Sequence, residues 1–205
     1  VYLNGKLLGD SSIHTSPVEF DVTKVVNRTG ENEIHLVLTD WSAFLKEGTP
    51  PPKDGELSPP RCSALTGNAL SIRMGLYGFV ELLAAPNVRV KRIWAIPSVK
   101  NDQLTVKTWL ENHGDSEASV KIHHQVEDKT GKRLEFDGPE VKIPAKSVIV
   151  SETVKDQAKL PLWSLEKPNL CGLTVSLLQN ERTIDRDFSR FGFRDIDKQG
   201  RDILL

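Results

Sequence analysis

Hydrophobic and polar residues alternate with a period of two along most of the chain. Phe20 and Val22 alternate with Glu19 and Asp21, and Ile34, Leu36 and Leu38 alternate with His35 and Thr39. Leu104, Val106, Thr108 and Leu110 share one parity, as do Val120, Ile122, His124 and Val126. A third such run holds Leu173, Val175 and Leu177. This period puts one face of a strand into a core and the other toward water. Turn signals separate the runs at Thr29-Gly30, Asn112-His113-Gly114-Asp115, Thr130-Gly131 and Asp137-Gly138-Pro139. Short strands spaced in this way predict β-sandwiches and not a parallel α/β sheet. No long amphipathic helix is legible, and Asp21 to Val26 has room for one helical turn. The opening residues, Val1 to Leu8, read as a hairpin, because Asn4-Gly5 suits the two positive-φ positions of a type I′ turn.

One stretch breaks the pattern. Residues 46–68 hold five of the twelve prolines and three glycines. Proline lacks the N–H that a sheet ladder needs, so this stretch reads as a long loop. A domain boundary is expected at Ala85-Pro86-Asn87, where one strand ends and a new alternation begins. A chain that opens inside a hairpin and closes on the strand-like Asp202 to Leu205 is expected to be an excerpt of a longer polypeptide.

Composition narrows the partners. Lys and Arg number 27 and Asp and Glu 28, a net charge of −1, so nothing electrostatic points to nucleic acid or an anionic membrane. The most apolar stretch, Leu70 to Val90, is interrupted by Arg73, Glu81 and Pro86 and is not a membrane span. Cys62 and Cys171 are too few for a disulfide framework or a zinc site and leave the compartment open. His123 and His124 point to opposite faces of one strand and cannot chelate a metal together. His124 shares its face with apolar residues and reads as a hydrogen-bonded core histidine. His14 reads as a solvated loop residue. No Gly-x-Ser-x-Gly elbow and no phosphate-binding glycine loop is present, so no cofactor is expected. Asn27-Arg28-Thr29 matches the N-glycosylation sequon, a motif that also occurs often by chance.

The order of motifs resembles a known family. An "xLNGKxxG" hairpin precedes Ser16 to Leu38, "SPVEFDVTKVVNRTGENEIHLVL". There follow "GLYGFVELLAAPNVRVKRIWAIPSV" (Gly75 to Val99), "LPLWSLEKPNLCGLTVSL" (Leu160 to Leu177) and "RFGFRDI" (Arg190 to Ile196). Together they resemble the non-catalytic front of a family 2 glycoside hydrolase, the group of β-galactosidases, β-glucuronidases and β-mannosidases. The resemblance implies an all-β chain: part of a galactose-binding-like jelly roll over residues 1–84, then an immunoglobulin-like β-sandwich over 85–195. Residues 196–205 would lead into a catalytic (β/α)₈ barrel. The chain departs from the family's "GIYRDV" strand, with Gly78 and Phe79 where an Arg-Asp pair is usual.

Glycoside hydrolysis needs two carboxylic residues flanking the scissile bond. The resemblance implies that both are barrel glutamates and that the acid/base one follows an asparagine. The two Asn-Glu pairs present, Asn32-Glu33 and Asn180-Glu181, read more plainly as a strand opening and a hairpin turn. Asp185 and Asp187, with Arg186 and Arg190 beside them, read as a surface charge cluster. No catalytic residue is therefore assigned. Aromatic faces that could stack on sugar are Trp41, Tyr77, Trp94 and Trp109, for which packing between domains is the simpler reading. A family loop that reaches the sugar pocket corresponds to Thr66 to Arg73, which makes Asn68 and Arg73 the substrate-binding candidates. Trp163 reads as an anchor between prolines, and Arg190 and Arg194 as reaching a neighbouring surface.

The resulting expectation is a non-catalytic β-sandwich portion of an enzyme that hydrolyses terminal β-glycosides with retention. Its partners would be a β-glycoside carbohydrate, through the parent enzyme, and the barrel domain, with homo-oligomer contacts a further role. The alternative is a stand-alone carbohydrate-binding or interaction module.

Overall fold

The computed structural model describes residues 1–11, 17–37, 76 and 78–204. Asn68, Arg73, Cys62, His14, Trp41 and Tyr77 lie outside the described residues. The described structure is all-β, with antiparallel sheets. The chain divides into two compact units, Val1–Leu82 and Leu83–Leu205.

In the first unit, β1 (Tyr2–Leu3) and β2 (Lys6–Leu7) form the expected hairpin, with φ of 51° at Asn4 and 74° at Gly5. β3 (Ile34–His35) pairs with the other side of β1. The Asn4 amide holds this arrangement together. Its Nδ2 donates to the Val25 carbonyl and to Asn32 Oδ1, both at 2.9 Å, and its Oδ1 accepts from the Glu33 N–H at 2.9 Å. Phe20 and Val22 are not in a strand. The Val22 carbonyl instead accepts from the amides of Val25 and Val26, a single helical turn.

The second unit is a seven-stranded sandwich. One sheet contains β4 (Val88–Ser98), β5 (Gln103–Asn112) and β8 (Ser147–Asp156) in that order. The other has the order β10 (Arg182–Gly192), β9 (Leu170–Gln179), β6 (Ala118–Glu127), β7 (Arg133–Ile143). A two-stranded hairpin follows, β11 (Asp197–Gln199) with β12 (Asp202–Leu204).

The core follows the sequence parity. Leu104, Val106 and Leu110 of β5, Val120, Ile122 and Val126 of β6, and Leu173, Val175 and Leu177 of β9 are at most 1% exposed. They form one cluster drawn from both sheets. Each such side chain contributes about 1.5–3 kcal/mol by leaving water, which offsets the similar ordering cost of a strand residue. Asn112 is buried among them with its amide satisfied. Nδ2 donates to the Ser116 and Ile143 carbonyls, and Oδ1 accepts from the Gly114 N–H.

Register shifts interrupt three of the strand pairings, β9–β10 at Ile184 and the two that follow. Asp137-Gly138-Pro139, expected as a turn, lies inside β7. Lys121 pairs with Glu140 and His123 with Asp137, so Gly138 and Pro139 together oppose Ile122. Two residues facing one is a β-bulge, which tolerates a proline that an even ladder would reject. In β4 the register slips between Val90 and Arg92, which leaves Lys91 as the extra residue. Inward residues run Val88 and Val90 before the bulge, then Ile93 and Ala95 after it. Arg92 and Trp94 consequently face outward, opposite Trp109 and Lys107 of β5.

Candidate functional site

The family-like motifs converge at one end of the sandwich. Phe191 and Phe193 are buried at 8% and 2% exposure, which puts the aromatic residues of "RFGFR" into the core as expected. Leu162 forms a parallel bridge with Phe193, and the Trp163 N–H donates to the Phe193 carbonyl at 3.0 Å. The Trp163 side chain then packs against Gly192. A Cβ there would stand 2.8 Å from Trp163 Cγ, so only glycine fits. Arg194 stacks on the indole, its guanidinium carbon 4.2 Å from the ring centroid. The anchor role of Trp163 is thus accounted for within its own unit. Arg194, expected to reach a neighbouring surface, stacks on this indole. Gly192→Val should displace Trp163 and destabilise the unit by about 2 kcal/mol, as overpacking does. A urea-unfolding midpoint unchanged from the parent protein would show that the indole is free to move aside.

Asp195 closes the same end. Its two carboxylate oxygens accept from the backbone amides of Val99 (2.8 Å) and Lys100 (3.0 Å), pinning the turn between β4 and β5. From the other side the Ala158 N–H donates to the Asp102 carbonyl, and the Lys159 N–H to Asp102 Oδ1. A shallow cleft of about 390 Å³ opens here, bordered by Trp94, Ile96, Pro97, Lys100 and Arg194.

The carboxylates weighed for chemistry occupy structural positions. Glu33 pairs with His35 at 3.0 Å on the surface. Asn180 and Glu181, with φ of 51° and 60°, form the β9–β10 hairpin turn, and Glu181 pairs with Lys121 at 2.9 Å. Asp187 is exposed, and its Oδ1 accepts from the Phe188 N–H. Asp185 is not simply part of a surface cluster. Its Oδ2 accepts from the Val90 N–H at 2.7 Å, capping β4 where its bulge begins.

The densest charge cluster among the described residues was not legible in the sequence. Glu111 is buried and meets Arg89 (2.9 Å), Lys91 (2.7 Å) and His113 (3.2 Å). Burial alone pushes its carboxyl up. Hydrogen bonds from Lys91 and Arg89, with the charges of Lys91 and His113, outweigh that and hold it at about 2. Hydrogen bonds also lower Asp128, chiefly from Thr130, and Glu166, from backbone and Ser164. A general acid for glycoside cleavage needs the opposite shift. These three carboxylates stabilise structure and do not donate protons at neutral pH.

The histidines divide as expected between faces. His123 Nδ1 meets Asp137 Oδ1 at 2.7 Å on the outside. His124 is 1% exposed and stacks on Phe136, with centroids 4.7 Å apart. It is less completely hydrogen-bonded than expected, because Nδ1 has no partner among the described residues. Cys171 is buried, and burial raises its thiol.

The sequence model of Glycosyl hydrolases family 2 matches residues 88–194, just over half of the chain. This chain belongs to that family. The matched span runs from the first residue of β4 to Arg194, so the family 2 signature here is the seven-stranded sandwich with its Trp163 closure. Curated relatives include a β-galactosidase of Thermoanaerobacterium thermosulfurigenes, 24% identical over 95% of this chain and 26% of the relative. Another is the β-galactosidase large subunit of Latilactobacillus sakei, 26% identical over all of this chain and 29% of the relative. The chain therefore spans between a quarter and a third of the length of these two relatives. A solved β-glucuronidase from glycoside hydrolase family 2 shares the fold, with a TM-score of 0.51 at 16% identity. That match covers 55% of this chain and 13% of the solved one.

Proposed function

We propose that these 205 residues are the non-catalytic β-sandwich portion of a family 2 enzyme that hydrolyses terminal β-glycosides with retention. The observation that carries this reading is the mismatch of lengths. Nearly the whole chain aligns with proteins named β-galactosidase, yet it accounts for only 26% and 29% of two of them. The described carboxylates whose acidity is shifted are all lowered, the reverse of what the general acid of such a pair needs.

In this reading residues 1–84 are the later part of a galactose-binding-like jelly roll, 85–195 the immunoglobulin-like domain and 196–205 the approach to a (β/α)₈ barrel. The barrel supplies the nucleophile and the general acid. Asn68 and Arg73 contribute to the rim of the sugar pocket. The sandwich serves to hold the barrel, and oligomer contacts are a further task for its surface.

The test compares two proteins on p-nitrophenyl β-galactoside and β-glucuronide. The natural full-length polypeptide is expected to release p-nitrophenol from one of them, and the 205-residue chain from neither. A natural polypeptide with a mass near 22.9 kDa, or one inert on every aryl β-glycoside tried, overturns the reading. Binding of oligosaccharide without hydrolysis would then favour a stand-alone carbohydrate-binding module.

A further inference from the structure

One asparagine in the chain precedes a glycine: Asn4, in the turn between β1 and β2. An Asn-Gly pair carries its own chemistry. Glycine has no side chain to shield its amide nitrogen, so that nitrogen can attack the amide carbon of the side chain before it. The surroundings of Gly5 are open, with nothing within 4 Å of where a Cβ would stand.

The Asn4 amide is held away from this reaction. Nδ2 donates to the Val25 carbonyl and to Asn32 Oδ1, and Oδ1 accepts from the Glu33 N–H. The Asn4 N–H adds a bond to the Glu33 carbonyl at 2.9 Å. The two acceptors that face Nδ2 cannot become donors. Val25 offers a backbone carbonyl. Asn32 has a fixed orientation, because its Oδ1 also accepts from the Asn27 N–H at 2.8 Å while its Nδ2 donates to the Asn27 carbonyl at 2.9 Å. Turning that amide over would set N–H against N–H and oxygen against oxygen. Position 4 must therefore present an atom with two hydrogens, which an asparagine amide has and a carboxylate lacks.

We infer that Asn4 is a site of spontaneous deamidation, which the hydrogen bonds of the closed first unit suppress and which, once it has occurred, keeps that unit from closing again. Opening of the β1–β3 pairing releases the side chain. The Gly5 nitrogen gives up its proton and bonds to Asn4 Cγ. The Cγ–Nδ2 bond breaks, and Nδ2 leaves as ammonia carrying that proton. Water then opens the resulting cyclic imide. Cleavage at Cγ leaves aspartate, and cleavage at the main-chain carbonyl leaves isoaspartate, whose backbone runs through Cγ. Nothing is oxidised or reduced, and water is the only co-reactant. The aspartyl product sets a carboxylate oxygen against the Val25 carbonyl and Asn32 Oδ1 with no hydrogen to place between them. The isoaspartyl product also adds a backbone carbon to a tight turn whose φ values are already positive at both central residues.

The experiment follows position 4 of the natural full-length polypeptide at mildly alkaline pH, in buffer and in unfolding urea. Peptide mapping separates asparagine, aspartate and isoaspartate. Deamidation of Asn4 is expected to be at least about tenfold slower in the folded protein, because the reaction follows the population of the opened form. Equal rates would show that the side-chain bonds protect nothing and overturn the inference. This comparison uses the parent polypeptide alone. The second arm is Asn4→Asp, the aspartyl product made directly. Amide hydrogen exchange in a peptide covering β1 and β2 should be at least about tenfold faster than in the parent, with no change in a peptide covering β5. Exchange at the parent rate in both peptides means that the hairpin closes around a carboxylate, and equal acceleration in both marks general unfolding. Either outcome overturns the inference.

Discussion

Replacing Glu111 by alanine should destabilise the sandwich unit by about 3–5 kcal/mol, the usual cost of removing one member of a buried ion pair. Glu111 is 8% exposed and Arg89 9%, so removing the carboxylate takes one charged partner from a buried guanidinium. Lys91 and His113 converge on the same carboxylate, and without it three cationic or protonatable groups face one another. Glu111→Gln should lose less, since its amide oxygen still accepts from Arg89. The check is urea unfolding of both variants beside the parent. A loss below about 1 kcal/mol for Glu111→Ala would show that the cluster is solvated and behaves as a surface pair.

The second large effect is a loss of stability on mild acidification, set by His124. Burial against Phe136 disfavours the imidazolium. The hydrogen bond to the Phe136 backbone opposes this, the charge of His123 adds to it, and the result is a value of about 4 in the folded protein. An unfolded chain titrates near 6.5. Above that pH the ring is neutral in both states and its full contribution is present. As the pH falls below it, the unfolded chain binds a proton that the folded protein refuses. Stability should drop by about 1.4 kcal/mol per pH unit, reaching about 3 kcal/mol by the folded value. Glu111 works in a lower window. Its contribution persists above its ordinary value of 4.5 and is lost as pH falls toward about 2. His124→Leu should therefore flatten the stability profile between pH 6.5 and 4.5 while leaving the steeper loss below it. A variant profile parallel to that of the parent over the upper window would rule out His124 as the cause.

Much of the sandwich was legible because its best strands separate their faces cleanly. In β5, β6 and β9 one parity is mostly apolar and buried and the other mostly polar. β8 hid itself by inverting that rule. Its inward residues include Ser151 and Thr153, while Val148, Val150 and Val154 face out. Asp137-Gly138-Pro139 carries turn chemistry, yet it serves a bulge, because bulges and turns ask for the same backbone freedom. The Trp163–Arg194 stack joins residues that only the folded unit brings together, and the Glu111 cluster depends on the bulged register of β4 against β5. Asn68 and Arg73 came from the position of a loop within a family pattern and not from any periodicity, and they lie outside the described residues.

The extra residue at Lys91 also constrains how this gene segment can change length. Beyond it, Arg92 and Trp94 face out, and Ile93 and Ala95 face in, because one additional residue resets the phase of the strand. Deleting a single codon between positions 91 and 98 would remove that reset or break the strand beyond it. Side chains on one side of the change would exchange faces, turning a guanidinium or an indole toward Leu104 and Val106. An insertion in the Thr130-Gly131 turn changes no such phase. Length differences among family members should therefore collect at the hairpin tips and be absent from this eight-residue window.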